Sequence, residues 1–276
     1  MRKPSSLPSS QTPANLWIIR KPTSKLSLWT YFFYCELLKI FRNPAAVVFG
    51  LGFPTLFFLI FGFSFGSKDA TALVGAYAAY GAFIVAFQTF SISLATERSL
   101  GWNKLLRSTS MSTALYLGSK FLVIIITGIL SLLLLFAVAG GSGKVHLAWG
   151  TWAALLGMMV LGMVPIGLMG LFLGFLGSPN VTSALSTTLG LLLSFASGYF
   201  IPLLLLPTVL QKVAPYLPTY QLGQLAWVAL GIKPGGLYGP DTQPLSVHFA
   251  ALGGYAVVFL VLSAWAYIRD ENTNFS

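Results

Sequence analysis

Two short motifs contain the glycine, lysine and serine residues of nucleotide-binding and hydrolytic sites, but neither has the surroundings that such a site needs. Residues 140–145 read GGSGKV, as in a phosphate-binding loop. That loop also requires a glycine five positions before its second glycine and a Ser or Thr after the lysine, and Val138 and Val145 occupy these positions. Residues 62–66 read GFSFG and match the nucleophile elbow, which works only on a strand-to-helix turn of an α/β sheet. This stretch ends an apolar segment instead, so we assign no catalytic residue to either motif.

A third arrangement, Ser197-Gly198 with His248, resembles the serine–histidine dyad of rhomboid intramembrane proteases. Phe195 stands where those proteases have a glycine, and the histidine and asparagine that would stabilise an oxyanion are missing from the earlier segments. A packing serine and an interfacial histidine are therefore the favoured interpretation, with the protease kept as an alternative. Cys35 is the single cysteine, which excludes a multi-cysteine metal site, and the sequence predicts no metal site.

Charged residues mark an amphipathic segment near the N-terminus, Ser27 to Asn43. Glu36, Lys39 and Asn43 have the i, i+3, i+7 spacing of one helix face, and Arg42 lies at its edge. A helix with one polar face and bulky rings elsewhere lies in the membrane interface. The pattern predicts an interfacial elbow helix carrying Glu36, Lys39 and Arg42.

A second charged segment separates two apolar runs further along the chain. The residues of this segment that we expect to contact a partner are Glu97, Arg98, Gly101, Lys104, Leu105 and Arg107. A short amphipathic segment of this kind projects from the membrane and can dock into a groove on a partner, where its charges would fix orientation. A solvated loop whose charges only set membrane topology is the alternative.

A third set of polar residues lies within the apolar runs themselves. Five small or hydroxyl residues follow spacings of 4, 3, 4 and 3, which places Ser183, Thr187, Gly190, Ser194 and Ser197 on one helix face. Such a face permits close helix packing or lines a cavity, and both readings stay open. Gln88 is the most conspicuous polar residue of the second apolar run, and we group it with this candidate transport path.

The elements that must position these residues are membrane helices. Of 276 residues, 56% are hydrophobic and 8% are charged, with a mean hydropathy of +0.80, far from the roughly 25% charged residues of soluble domains. Apolar runs near the ~20 residues that cross a bilayer predict an all-α polytopic protein with six spans. The six runs cover residues 45–65, 72–96, 113–139, 149–176, 181–205 and 247–268.

The distribution of basic residues predicts the orientation. With the N-terminus inside, eleven Lys and Arg residues lie on the cytoplasmic side and four outside, a positive-inside bias that places both termini in the cytoplasm. Lys120, just inside the third run, is expected to extend to the inner surface. The net charge of +10 is spread between apolar runs rather than gathered in one patch, which excludes a nucleic-acid partner.

The remaining segments complete the domain organisation. Residues 1–26 lack the apolar stretch of a signal peptide and are expected to form a disordered cytoplasmic tail. Residues 27–270 form the membrane domain, and residues 271–276 form a C-terminal cytoplasmic tail. Between spans five and six, short apolar stretches punctuated by proline predict re-entrant or interfacial outer helices.

Three fragments together resemble the permease subunits of type-2 ATP-binding-cassette exporters, the ABC-2 family of drug, antibiotic and polysaccharide exporters. Residues 36–44 resemble the family's elbow, residues 97–120 its cytoplasmic coupling segment, and residues 198–231 its re-entrant outer helices. The chain departs from the family pattern at Trp102, where threonine is usual, and at Ser110, where proline is usual.

This resemblance implies a transport subunit rather than an enzyme, located in the cell membrane. It implies a separate ATPase subunit that binds ATP and magnesium and contacts the coupling segment, and a second permease copy, identical or related. Spans one, two and five would then surround an outward path for a hydrophobic or amphipathic substrate. A lipid-linked polysaccharide exporter of the same family, marked by aromatic residues along the path, and a sodium-coupled carrier are the alternatives. A proton-driven carrier is disfavoured because the spans have no acidic residue away from their ends.

Overall fold

The computed structural model describes residues 25–42, 47–62, 67–101, 112–235, 238 and 240–273, and all regular elements within them are helices. The α-helices are α1 (Lys25–Arg42), α2 (Phe53–Phe57), α3 (Ser67–Ile84), α4 (Phe90–Ser99), α5 (Thr113–Gly141), α6 (Trp149–Leu176), α7 (Pro179–Ala196), α8 (Thr208–Val213), α9 (Pro218–Ala229) and α10 (Leu245–Thr273). Turns of π-helix flank α2 (Val47–Gly52 and Phe58–Gly62) and join α3 to α4 (Val85–Thr89), while 3₁₀ turns cover Leu203–Leu205 and Ala214–Tyr216.

Four helices among the described residues are long and apolar enough to cross a membrane. They cover Ala70–Ser99, Thr113–Gly141, Trp149–Leu176 and Leu245–Asp270, and they confirm the spans predicted at 72–96, 113–139, 149–176 and 247–268. The two other predicted spans correspond to shorter helices, a 13-residue apolar stretch at Gly50–Gly62 and the 18-residue helix α7. The count of six therefore stays a prediction.

Helix α7 is shorter than the run 181–205 predicts because the chain turns sharply after Ala196. Gly198 adopts a φ of +83°, a left-handed conformation that glycine enters without steric cost. The amide of Gly198 donates to Phe195 O at 3.1 Å and that of Tyr199 to Ser194 O at 3.1 Å. These turn bonds satisfy carbonyl groups at the end of the helix.

The continuous helix α3–α4 forms the centre of the bundle, and 94% of its most apolar stretch is buried. Small side chains along it let the neighbouring helices come close, among them Ala72, Ala76, Ala79, Ala82 and Ala86. At Gly170 of α6 a Cβ atom would lie 2.7 Å from the carbonyl oxygen of Ala86. Helix α6 thus crosses the central helix at the π turn Val85–Thr89, where only glycine leaves room for the backbone.

Helices α5, α7 and α10 lie outside this centre. Only 11% of the apolar stretch of α10 is buried within the chain, and large apolar side chains such as Leu192, Val257 and Val261 are more than half exposed. Exposing apolar faces of this extent to water is unfavourable, whereas contact with lipid chains is not. The exposed faces therefore agree with a multi-pass membrane protein.

Candidate functional site: a buried charge cluster at one end of the bundle

Helices α1, α4 and α5 bring four charged side chains together, of which Glu36, Glu97 and Lys120 are buried and Lys39 is about half exposed. Lys120 of α5 is 3% exposed, and its Nζ lies 2.8 Å from Glu97 Oε1 and 3.1 Å from Glu36 Oε2. Lys39 of α1 pairs with Glu36 and lies 3.3 Å from Glu97 Oε1. Two carboxylates face two ammonium groups, so these four groups are formally neutral together. We call Glu36, Lys39, Glu97 and Lys120 the charge cluster.

Neutral hydroxyl groups complete the hydrogen bonds of the cluster. The hydroxyl of Tyr116 donates to Glu97 Oε2 at 2.6 Å, and Lys120 Nζ donates to Ser93 Oγ at 3.2 Å. Burial alone lowers the pKa of Lys39, but its hydrogen bonds and its attraction to Glu36 and Glu97 outweigh burial and raise that pKa. A buried ion pair is tolerated when its remaining donors and acceptors are satisfied in this way.

The structure differs from the expectation for Lys120. The sequence predicts that its side chain extends to the membrane surface, but the ammonium group is 3% exposed and turned toward the carboxylates. The physical reason is that two acidic groups from α1 and α4 lie within bonding reach, so the charge is compensated without water. A lysine inside a span requires an acidic partner. The presence of Lys120 within an apolar run is therefore the feature of the sequence that predicts a buried ion pair.

Arg98, next to Glu97 in α4, makes a second set of polar contacts with other helices. Its guanidinium makes a bidentate ion pair with Asp270 near the end of α10 and donates to the carbonyl oxygen of Gly174 at 2.6 Å. Its Cζ lies 5.3 Å from the ring centroid of Phe175. Arg98 therefore joins α4 to the ends of both α6 and α10, and no spacing pattern in the sequence indicates Asp270 as its partner.

The other residues predicted to contact a partner are placed as follows. Gly101 is half-buried with a φ of +76°, and Arg42 is exposed at the end of α1. Lys104, Leu105 and Arg107 lie outside the described residues. Glu97 and Arg98 are directed into the bundle, while the segment that follows them connects to α5. The predicted coupling segment thus lies between two helices that the charge cluster holds together.

The predicted transport face divides into a packing part and a surface part. Gly190, Ser194 and Ser197 are buried; a Cβ on Gly190 would lie 3.6 Å from Ile84 Cδ1 of the central helix. Ser194 Oγ donates to Gly190 O at 2.7 Å and the hydroxyl groups of Ser197 and Thr219 are 2.6 Å apart. These three residues serve helix packing.

The surface part of the face contains Thr187, which is exposed, and Ser183, which is half-buried. Gln88 Nε2 donates to Thr187 Oγ1 at 2.7 Å. Gln88 belongs to the π turn Val85–Thr89, so the turn and α7 together present a polar pair at the surface of the chain, nearer to the Ser99 end of the central helix than to its Ser67 end.

Ser197 and His248 each bond to other residues. The serine hydroxyl contacts Thr219, and His248 Nδ1 lies 2.6 Å from Gln221 Oε1. His248 Nε2 is 3.3 Å from Asp241 Oδ1 but outside hydrogen-bond geometry. Asp241 accepts from Tyr220, and burial together with this carboxylate raises the pKa of Tyr220. The histidine thus belongs to a polar network at the end of the bundle opposite the charge cluster.

Comparison with known proteins places these features in a family. The model of the ABC-2 family transporter protein matches residues 67–265. The chain is also similar to the transport permease YvfS of Bacillus subtilis (strain 168), with 24% identity over 243 residues, which is 86% of this chain and 95% of that protein.

Proposed function

The chain belongs to the ABC-2 family of transporter proteins, and from this premise we propose that it is the permease subunit of an exporter driven by a separate ATPase. The family and the similar permease support a transport permease. Our proposal adds the direction of transport, the ATPase partner and the class of substrate. Spans without internal acidic residues suit a hydrophobic or amphipathic molecule better than a small ion.

The charge cluster carries this proposal. It joins α1 to α4 and α5, the two helices on either side of the segment that includes Lys104 and Arg107. A force on that segment, or on the outer face of α1, is therefore transmitted to three helices at once. Buried ion pairs require close partners, so the cluster favours discrete helix arrangements over gradual deformation. Movement between two such arrangements is a rigid-body switch driven by the partner chain.

In this scheme α1 is the elbow helix at the cytoplasmic surface and α8 and α9 are the outer helices between spans five and six. The chain then crosses the membrane six times with both termini in the cytoplasm. The helical stretch Val47–Gly62 and helix α7 supply spans one and five. Both helices pack against the central helix α3–α4, which supplies span two.

The polar pair Gln88–Thr187 supports a path formed between two copies of the permease. One hydrogen bond joins the half-buried amide of Gln88 to the exposed hydroxyl of Thr187, and any remaining donor or acceptor of the two groups that faces lipid without a partner is costly. A second copy facing them across a hydrated path removes that cost. Spans one, two and five would then line the path, with Ser183 at its edge.

Co-purification in mild detergent tests the ATPase partner. The tagged chain is expected to retain a P-loop ATPase from its native membranes, and Lys104→Glu with Arg107→Glu is expected to release it. Lys212→Glu with Lys233→Glu is the matched control, because both lysines are exposed near the opposite end of the bundle. Equal retention by both double variants would contradict the coupling segment. Transport in proteoliposomes without ATPase, under a sodium gradient alone, would identify the sodium-coupled carrier.

An exporter of lipid-linked polysaccharide is the second candidate, favoured by one observation. Aromatic rings from α2, its flanking turn, α3 and the segment at the end of α7 form a connected group that includes Phe57, Phe61, Tyr80, Phe195 and Phe200. Their contacting ring centroids lie 4.9 to 6.1 Å apart. Phe61 and Phe195 are each 38% exposed, so rings remain accessible beside the proposed path. Loss of saccharide export in Phe61→Leu and Phe195→Leu, with export of lipophilic drugs unchanged, would favour this candidate.

A further inference from the structure

A histidine is buried where α9 meets the start of α10. His248, in the first turn of α10, is 1% exposed, and helices α6 and α9 pack against α10. The two ring nitrogens face different groups. Nδ1 lies 2.6 Å from Gln221 Oε1 of α9, and Nε2 lies 3.3 Å from Asp241 Oδ1 of the loop before α10. The positions of the ring protons therefore decide whether these contacts are favourable.

The hydrogen bonds of Gln221 determine where the first proton lies. Gln221 Nε2 donates to the carbonyl oxygen of Pro215 at 2.6 Å, and turning the amide around would place its oxygen against that carbonyl oxygen. Oε1 is therefore the atom that faces His248, and an amide oxygen only accepts hydrogen bonds. It follows that Nδ1 carries a proton whether the ring is neutral or charged.

Nε2 consequently carries a proton only when the ring is charged. In a neutral imidazole one nitrogen donates and the other accepts, so a neutral His248 would direct the lone pair of a buried nitrogen toward a carboxylate oxygen. Among the residues that the structure describes, none makes a hydrogen bond with Nε2, so none of them compensates that repulsion. The charged ring instead places a positive charge 3.3 Å from Asp241, and burial strengthens this attraction.

The carboxylate of Asp241 is held in this position by other bonds. It accepts from the hydroxyl of Tyr220 at 3.0 Å and from the amide of Gln243 at 2.9 Å. The amide of Asp241 itself donates to Gln224 Oε1 at 2.7 Å. These bonds oppose a rotation of the carboxylate away from the ring when the histidine loses its proton.

The elements around His248 carry few other ionisable residues. Helix α6 has none, α9 has one, and residues 230–244 have three. Tyr255 of α10 donates to the carbonyl oxygen of Tyr216. Tyrosine and lysine ordinarily titrate at about pH 10 and aspartate at about pH 4, so between these limits histidine is the group that changes charge here. The residues concerned are Tyr216, Tyr220, Lys233, Tyr238, Asp241 and Tyr255.

We infer that His248 and Asp241 form a pH-sensitive clasp between α9 and the start of α10. With the ring charged, Gln221 holds it from α9 and Asp241 holds it from the loop. When the ring loses its proton, the contact with Asp241 becomes repulsive and the bond to Gln221 remains. Trp227 Nε1 of α9 donates to the carbonyl oxygen of Ala72 at 3.1 Å, so the clasp connects α10 through α9 to the beginning of the central helix.

Nitrogen-15 NMR of the full chain, labelled on histidine, tests the protonation directly. The chain has two histidines, and His146→Gln removes the other one, which is exposed between α5 and α6. At pH 6 both ring nitrogens of His248 are expected to carry protons. At pH 8.5 the ring is expected to be neutral with its proton on Nδ1. The same charge state at both pH values, or a neutral ring protonated on Nε2, would overturn the clasp.

A second measurement distinguishes the clasp from a histidine that titrates without consequence. Asp241→Asn keeps the size of the side chain and removes its charge. The unfolding temperature in detergent that this variant loses is expected to be larger at pH 6 than at pH 8.5 by about 2 to 4 °C, the usual effect of one polar interaction. In a His248→Gln background the loss is expected to be the same at both pH values. An equal loss at both pH values with His248 present would show that the two residues are not coupled.

Discussion

The ammonium group of Lys120 lies 2.8 Å from the carboxylate of Glu97 at a position where water has almost no access. Glu97 belongs to α4 and Lys120 to α5, the helices before and after the predicted coupling segment. Their contact, extended by Glu36 of α1 at 3.1 Å, turns three separate helix ends into one unit.

Lys120→Met is expected to destabilise the folded chain by about 3 to 5 kcal/mol, because it leaves two buried carboxylates without the cation between them. Thermal unfolding in detergent, followed by circular dichroism, measures the loss. Lys212→Met is the control, since Lys212 is exposed in α8. Adding Glu97→Gln to Lys120→Met is expected to recover part of the stability. A double variant that is less stable than either single variant would rule out charge compensation as the reason.

Arg98→Lys is expected to be destabilising although it keeps the charge. An ammonium group cannot reproduce the bidentate pair with Asp270 together with the bond to Gly174 O. A double-mutant cycle with Asp270→Asn should give a coupling energy of about 0.5 to 3 kcal/mol between the two positions. Additive effects of the two changes would show that Arg98 and Asp270 do not stabilise each other in the membrane.

Gly170→Ala is expected to cost about 1 to 3 kcal/mol, because the new methyl group would meet the carbonyl oxygen of Ala86 at 2.7 Å and backbone cannot move aside cheaply. Gly157→Ala in the same helix is the matched control. No neighbour lies within 4 Å of its Cβ position, so the change should stabilise α6 slightly through helix propensity. If both variants unfolded at the same temperature, close packing at the π turn would not explain the glycine.

Gln88→Leu is expected to leave the unfolding temperature nearly unchanged and to reduce ATP-dependent export by tenfold or more, given that the pair with Thr187 lies at the surface. Transport by the reconstituted permease and its ATPase provides the measurement. Val257→Leu on the exposed face of α10 serves as the control for changes that meet lipid. Unimpaired export by Gln88→Leu would exclude this polar pair from the path.

The spans could be predicted where the apolar run alone determines the structure. Helices α5, α6 and α10 begin and end within a few residues of the predicted limits, and even the proline inside α6, Pro165, does not end that helix. The run 181–205 was longer than α7, since the left-handed turn at Gly198 is a local backbone event that hydropathy does not register. The chain regains helical structure only at Leu203.

Apart from the i, i+3 neighbours Glu36 and Lys39, the sites were predictable as residue types but not as pairs. Glu36, Glu97 and Arg98 drew attention as charged residues at helix ends, yet their partners lie 84, 23 and 172 positions away. Sequence spacing carries no information about contacts over such separations. A lysine inside a span requires a compensating negative charge. This rule predicts that Lys120 has an acidic partner, but it does not indicate which acidic residue that is.

The π turn Val85–Thr89 gives the central helix one residue more than an uninterrupted α-helix between the same two ends would contain. Removing a residue from this turn would leave both ends of the helix in phase, whereas removing one from Ala76–Ala82 would rotate the two ends against each other by about 100°. The surplus residue can also change position. If the turn moved along the helix, the side chains it passed would rotate by about 100° around the axis while the ends kept their contacts. Such a shift would reorient the middle of the helix, including Gln88, while the end that holds the charge cluster kept its contacts.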